Sequence, residues 1–223
     1  MDPAPADVEV IYEDNHLIAL NKPPGLLTQP ARGCPDSLEA RAAHWIKVSR
    51  SKPGKVFLHA VHRLDKVASG IALFALTDKA LSRMNEQMRS RLVTRIYHAV
   101  IAGRPPRDQG TLVHFLRHSH LKSIVAAEDA PGARRSVLEF RVLRREGRLT
   151  LLEVTLETGR YHQIRAQLSA AGCPILGDTL YGSREKYAGD GIALHHRQME
   201  FIHPVKKTPV ELSARYPDAW PLS

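Results

Sequence analysis

Cysteine is nearly absent from this chain: Cys34 and Cys173 are the two in 223 residues. Two isolated thiols make neither a disulfide framework nor the clustered spacing of a zinc site, and a reduced, cytoplasmic setting is the simplest expectation. Nothing beside Cys34 would activate a thiolate, so a structural cysteine is expected there. Long apolar runs are also missing, and none approaches a membrane span. The opening MDPAPADVEV lacks the basic-then-apolar order of a secretory signal. Aromatic residues amount to only 6%, which argues against a surface of exposed stacking platforms. No Gly-x4-Gly-Lys-Ser/Thr loop and no Gly-x-Gly-x-x-Gly after a strand occurs, so those two phosphate cradles are excluded. No nucleophile elbow marks a Ser–His–Asp triad.

Acidic residues are outnumbered: 23 Asp and Glu face 32 Lys and Arg, for a formal charge of +9 with twelve histidines besides. Such a balance favours a polyanionic partner, RNA or DNA, bound through counterion release. With so few aromatics, backbone charge and shape would dominate over reading of individual bases. Hydrophobic residues make up 43%, enough for a sizeable core. No internal repeat or low-complexity linker interrupts the chain, so one α+β domain over residues 1–223, core about 9–215, is expected. Nothing suggests an exposed apolar helix, which favours a monomer.

The local pattern fills in that outline. Val8–Tyr12 and Leu17–Leu20 flank Glu13-Asp14-Asn15 as a β-hairpin, and Lys22-Pro23-Pro24-Gly25 ends it in a rigid basic loop. A helix is predicted from Asp36 or Ser37 to about Lys47, then a basic loop over Ser49–Lys55 and a strand over Val56–Val61. The nearly unbroken apolar run Ile71–Leu76 reads as a strand buried on both faces. Thr77 or Asp78 caps an amphipathic helix with Ala80, Leu81, Met84, Met88 and Leu92 on one side. Thr94–Gly103 is a strand. Residues 111–135 are the least legible; His114, His118 and His120, with Arg117 and Lys122, suit a basic loop or hairpin better than a metal site, because no Cys or carboxylate joins them. Ser136–Gly159 alternates twice around Glu146-Gly147, another hairpin. RYHQIRAQLSAAG then switches to helical period, with Tyr161, Ile164, Leu168 and Ala171 on one face and Gly172 at the stop. Two closing strands complete a largely antiparallel sheet.

The stretch AVHRLDKVASGIALFALT places Asp65 between Arg63 and Lys66 at the mouth of the buried strand. Alone, it fits two readings equally: a polar loop whose charges satisfy one another, and a catalytic carboxylate. The excluded chemistries leave acid, base and nucleophile work by carboxylate, tyrosine and arginine. An Asp beside cations at the base of a cleft suits covalent catalysis at a sugar or a pyrimidine ring.

The segment HRLDKVASG resembles the nucleophile motif of RluA-type pseudouridine synthases. Five further blocks resemble that family in its own order: NKPPGLLTQP, RIYHAVIAG, LETGRYHQIRAQL, ILGDTLYG and LHHRQMEFIHP. The likeness runs from about Glu9 to Pro209. Ala68 departs from the usual Thr, Arg95 from Lys, and Ala166-Gln167 from Val-His. About eight residues precede the first strand, so the short form without the family's N-terminal S4-like RNA-binding domain is expected. The resemblance implies a pseudouridine synthase fold: one catalytic domain with a largely antiparallel mixed sheet flanked by helices and loops. It implies that Asp65 attacks a flipped-out uridine of ribosomal or transfer RNA, at ribose C1′ or at the base ring. Tyr97 would lie against the base and Arg165 would pair with Asp65 and orient it. Arg63, His62, Lys22, Arg160, His162 and Gln163 would bind substrate, His62 as a structural hydrogen-bonder rather than a base. Lys22, Arg32, Lys52, Lys55, Arg104 and Arg107 would form a diffuse phosphate-binding rim. No metal or organic cofactor is implied. Without the resemblance, Tyr97 reads as a half-buried strand residue and Arg165 as a solvated helix residue. Two other readings use the same residues: a non-catalytic RNA-binding or assembly protein, and a nucleosidase with Asp65 as nucleophile.

Overall fold

A computed structural model describes residues 8–51 and 53–222. The chain divides into two compact units. One takes the described residues through Val93 together with Arg197–Arg215; the other takes Thr94–His196 and the chain from Tyr216 onward.

The first unit is organised around the apolar run seen in the sequence. Strand β1 (Glu9–Glu13) pairs antiparallel with β2 (Leu17–Lys22), and β2 pairs antiparallel with β4 (Ser69–Ala75). Every residue of β4 is buried, because its side chains alternate between two separate layers. Ile71, Leu73 and Ala75 pack with Ala80 and Met84 of helix α2 (Asp78–Arg89). Ala72 and Phe74 pack with Leu38, Ala42 and Ile46 of helix α1 (Leu38–Ser49). Ser37 and Thr77 start these helices as their side chains predict, each oxygen accepting from the amide three residues on (Ala40 and Ala80). The strand expected over Val56–Val61 shortens to β3 (His59–Ala60), on the end of β4. Leu92, assigned by period to the buried face of α2, is 65% exposed, because that helix stops at Arg89. Strands β10 (Leu194–Ile202) and β11 (Pro209–Ser213) form an antiparallel pair.

The second unit has the strand order β5-β9-β8-β6-β7, with all of these neighbours antiparallel. These are β5 (Thr94–Ala102), β6 (Gln109–Ser119), β7 (Lys122–Ala126), β8 (Arg134–Glu146) and β9 (Leu149–Leu156). The least legible stretch, 111–135, is the β6–β7 hairpin and its link to β8, with His120 at positive φ in the turn. Its signal is weak because exposed and buried residues alternate imperfectly along β6 and the edge strand β7. Helix α3 (Gln163–Ala170) starts two residues later than its apolar period suggests. His162 takes a left-handed conformation (φ 50°, ψ 28°), so Tyr161 lies outside the helix and is 43% exposed.

Candidate active site

In the first unit, Asp65 sits half-buried on the loop that enters β4. The loop is held from two sides. The Thr28 hydroxyl accepts from the Leu64 amide at 3.0 Å and donates to the Leu64 carbonyl at 3.1 Å. The Ala68 amide donates to the Asp65 carbonyl at 3.1 Å and closes the turn. On the far side, the Gly25 amide donates to the Lys66 carbonyl at 2.8 Å, with Gly25 at φ 82°, a backbone that favours glycine. Leu64 and Ala68 are buried and anchor the loop, while Arg63 and Lys66 are exposed. His62 Nε2 accepts from the Leu73 amide at 3.3 Å.

Lys22 requires a correction. Expected to touch substrate phosphate, it is fully buried at the end of β2. Its Nζ donates to the carbonyls of Pro23 (2.8 Å), Leu26 (2.8 Å) and Lys66 (3.2 Å), so its three donors are used inside the fold. The residue that looked like an RNA contact is a clasp between the Pro-Pro-Gly loop and the Asp65 loop. Burial pushes its ammonium down to about 7, with the charge of Asp65 acting in the opposite direction. Between that value and the ordinary 10.5, the unfolded chain holds more protons at this position than the folded one. Stability from this group therefore rises with pH across that window. Lys22→Met should flatten the rise, measured as urea midpoints at pH 7 and about pH 10; parallel pH slopes in the two proteins would contradict the assignment.

Of the expected rim, Arg32, Lys55, Arg104 and Arg107 are exposed, and Lys52 lies outside the described residues.

The second unit holds the other named residues. Tyr97, on β5, is buried and stacks on His196 with centroids 4.4 Å apart and planes 11° from parallel. Arg165, on α3, is no solvated helix residue: it is 4% exposed. Its Nε and Nη2 donate to the two carboxylate oxygens of Asp178 at 2.7 and 2.9 Å, and its guanidinium lies 4.9 Å from the centre of the Tyr181 ring. The Tyr181 hydroxyl accepts from the Ser123 amide at 2.8 Å, donates to the Ser123 carbonyl at 3.2 Å, and meets His162 Nδ1 at 3.1 Å. Asp178 and Tyr181 both come from the block ILGDTLYG. Its spacing was legible, but nothing in the sequence could pair it with Arg165.

Gln163 is a second correction. Its Oε1 accepts from the Thr158 hydroxyl (2.8 Å) and the Arg160 amide (3.0 Å), and its Nε2 donates to the Val137 carbonyl (3.1 Å). A buried amide with both ends committed shapes the turn before α3 and is not available to substrate. Arg160, three residues earlier, is exposed. Of the histidines on β6 and its turn, His114 accepts from the Gln167 amide at 3.2 Å, and burial pushes its imidazole down. His118 contacts the Tyr161 ring. Among the described residues no group of three or more His, Cys, Asp or Glu could hold a metal ion, and no helix is long and apolar enough to cross a membrane.

The sequence profile of the RNA pseudouridylate synthase family matches residues 16–170, a span that includes Asp65, Tyr97 and Arg165. The chain belongs to this family. An uncharacterized RNA pseudouridine synthase of Synechocystis sp. is 37% identical over 210 residues, covering 89% of this chain and 62% of the relative. Ribosomal large subunit pseudouridine synthase D of Xylella fastidiosa is 34% identical over 233 residues, covering 97% of this chain and 69% of the relative. This chain thus spans about two thirds of the length of these relatives. Among solved structures, human RNA pseudouridylate synthase domain containing 4 superposes with a TM-score of 0.78 at 23% identity, over 95% of this chain and 90% of that one. The architecture is the α+β pseudouridine synthase fold that the motifs implied.

Proposed function

We propose that this protein is an RNA pseudouridine synthase that isomerises uridine in ribosomal RNA, transfer RNA or both, with Asp65 as the nucleophile. The observation that carries the reading is an aspartate presented half-buried on a loop clasped by Thr28 and Lys22, within the segment matched to the family. The name of the Xylella relative favours ribosomal RNA. The reaction breaks the N1–C1′ bond and forms C5–C1′; the proton lost from C5 is balanced by one gained at N1. It is redox-neutral and cleaves no phosphate ester, so no metal or organic cofactor is needed. Asp65 supplies the covalent hold on the nucleotide, at ribose C1′ or at the ring, while the uracil turns. A uridine in a helix must leave the stack first, and Arg63, exposed beside Asp65, would occupy the space it vacates. Tyr97 would face the base and Arg165 would orient the carboxylate, roles that rest on the family motifs. Both units would serve one catalytic domain, working in the cytoplasm as a monomer.

Total RNA from cells with and without the gene should differ at one or a few carbodiimide-dependent reverse-transcription stops. Identical stop patterns would overturn the proposal, and release of free uracil would point to a nucleosidase instead. The charge of +9 and the exposed basic loops carry a second expectation. The logarithm of RNA affinity should fall with the logarithm of salt, with a slope of about −0.7 to −0.9 per phosphate neutralised. A flat response would rule out a backbone-reading surface.

A further inference from the structure

Tyr161 is an aromatic side chain placed where burial does not explain it. It precedes α3 and remains 43% exposed. The ring stacks on His162, with centroids 3.8 Å apart and planes 20° from parallel, and His118 of β6 lies 4.9 Å away. Polar bonds from the β6–β7 hairpin support this arrangement. The Tyr161 hydroxyl donates to the Leu121 carbonyl at 3.3 Å, and the Tyr161 carbonyl accepts from the Ser123 hydroxyl at 2.5 Å. His162 is fixed in turn by the Tyr181 hydroxyl and by a left-handed backbone that non-glycine residues adopt uncommonly. The β6–β7 hairpin and the α3 turn thus fix the ring pair by hydrogen bonds while leaving the Tyr161 ring exposed and His162 partly so. Two cations flank it: Arg160 immediately before, and Lys122 immediately after Leu121. Both are exposed, and neither makes an ion pair among the described residues. A planar surface bordered by positive charge complements a nucleotide, whose base stacks and whose phosphate is anionic.

We propose that Tyr161 and His162 form a stacking site for an unpaired base of the bound RNA, with Arg160 and Lys122 meeting the adjoining phosphates. The inference rests on the reading of RNA as substrate and adds to it a single-stranded nucleotide held on the second unit. A single such site is compatible with the expectation that so few aromatics do not make a surface of exposed stacking platforms.

Transcripts carrying 4-thiouridine, crosslinked to the wild-type protein and digested with trypsin, report on the site directly. Cleavage after Arg160 and Arg165 isolates the peptide Tyr161–Arg165. The expected result is a nucleotide adduct on that peptide. Adducts confined to other peptides would overturn this site and leave the RNA reading standing, whereas adducts nowhere would overturn both. Affinity separates ring from hydroxyl: Tyr161→Phe and Tyr161→Leu both lose the bond to Leu121, but only the second loses the ring. Tyr161→Phe should bind RNA about as tightly as the wild type, and Tyr161→Leu about tenfold more weakly, within the range known for loss of one base–aromatic stack. Equal affinities for the two variants would overturn the proposal.

Discussion

Asp65→Asn should bind RNA within several-fold of the wild-type protein and form no detectable pseudouridine. Asparagine has nearly the same shape as aspartate and keeps part of its hydrogen-bonding capacity. The loop itself is held through backbone groups: the Leu64 amide and carbonyl on Thr28, the Lys66 carbonyl on Lys22 and Gly25, and the Asp65 carbonyl on Ala68. None of those bonds involves the Asp65 carboxylate, so the substitution leaves this scaffold in place. On the proposed reading RNA affinity comes mainly from cationic contacts elsewhere, so binding should persist. What would disappear is the proposed nucleophile, and with it the proposed covalent route. The assay is the carbodiimide-dependent reverse-transcription stop, since isomerisation leaves the mass of the RNA unchanged. A variant that still formed pseudouridine at a substantial rate would remove Asp65 from its proposed role and reopen the reading of the loop as a polar turn.

Asp178→Ala should destabilise the protein by about 3–5 kcal/mol, because it leaves Arg165 in a buried setting without its bidentate partner. Removing one member of an enclosed ion pair costs far more than the pair contributes net, since the remaining buried charge loses a bidentate partner that water cannot replace. The Tyr181 ring remains at 4.9 Å but offsets only a small part of that loss. Equilibrium urea unfolding checks the magnitude; a loss below about 1 kcal/mol would mean that Arg165 relaxes to solvent. The double variant Arg165→Met with Asp178→Leu separates structure from function. Replacing both charges by apolar side chains of similar volume should recover much of the stability. It should not restore pseudouridine formation, if Arg165 orients the nucleophile as proposed.

Several features could be read from residues alone because their causes are local. Ser37 and Thr77 cap helices by reaching amides three residues away. The uninterrupted apolar character of Ile71–Leu76 requires cover on both faces, and α1 and α2 supply it. Motif order was sufficient for the family, and it made Asp65 the candidate nucleophile. Period alone misled where one residue changed the backbone: left-handed His162 removes Tyr161 from the α3 face.

The misread side chains share a different cause. Lys22 and Gln163 are polar residues in basic, motif-rich loops, where sequence favours contact with substrate. In the fold, their donors and acceptors are consumed by carbonyls and amides 1 to 44 residues away, as with Pro23, Lys66 and Val137. Arg165 likewise finds Asp178 thirteen positions along the chain, across a loop whose path no local pattern specifies. Charge balance, capping and burial of the central strand are properties of composition and near neighbours, and the order of the family motifs named the candidate nucleophile, so the sequence by itself determined them. Which polar groups face solvent and which clasp the loops depends on burial, because a buried donor must find its acceptor wherever the fold brings one. That choice was made only by the tertiary structure.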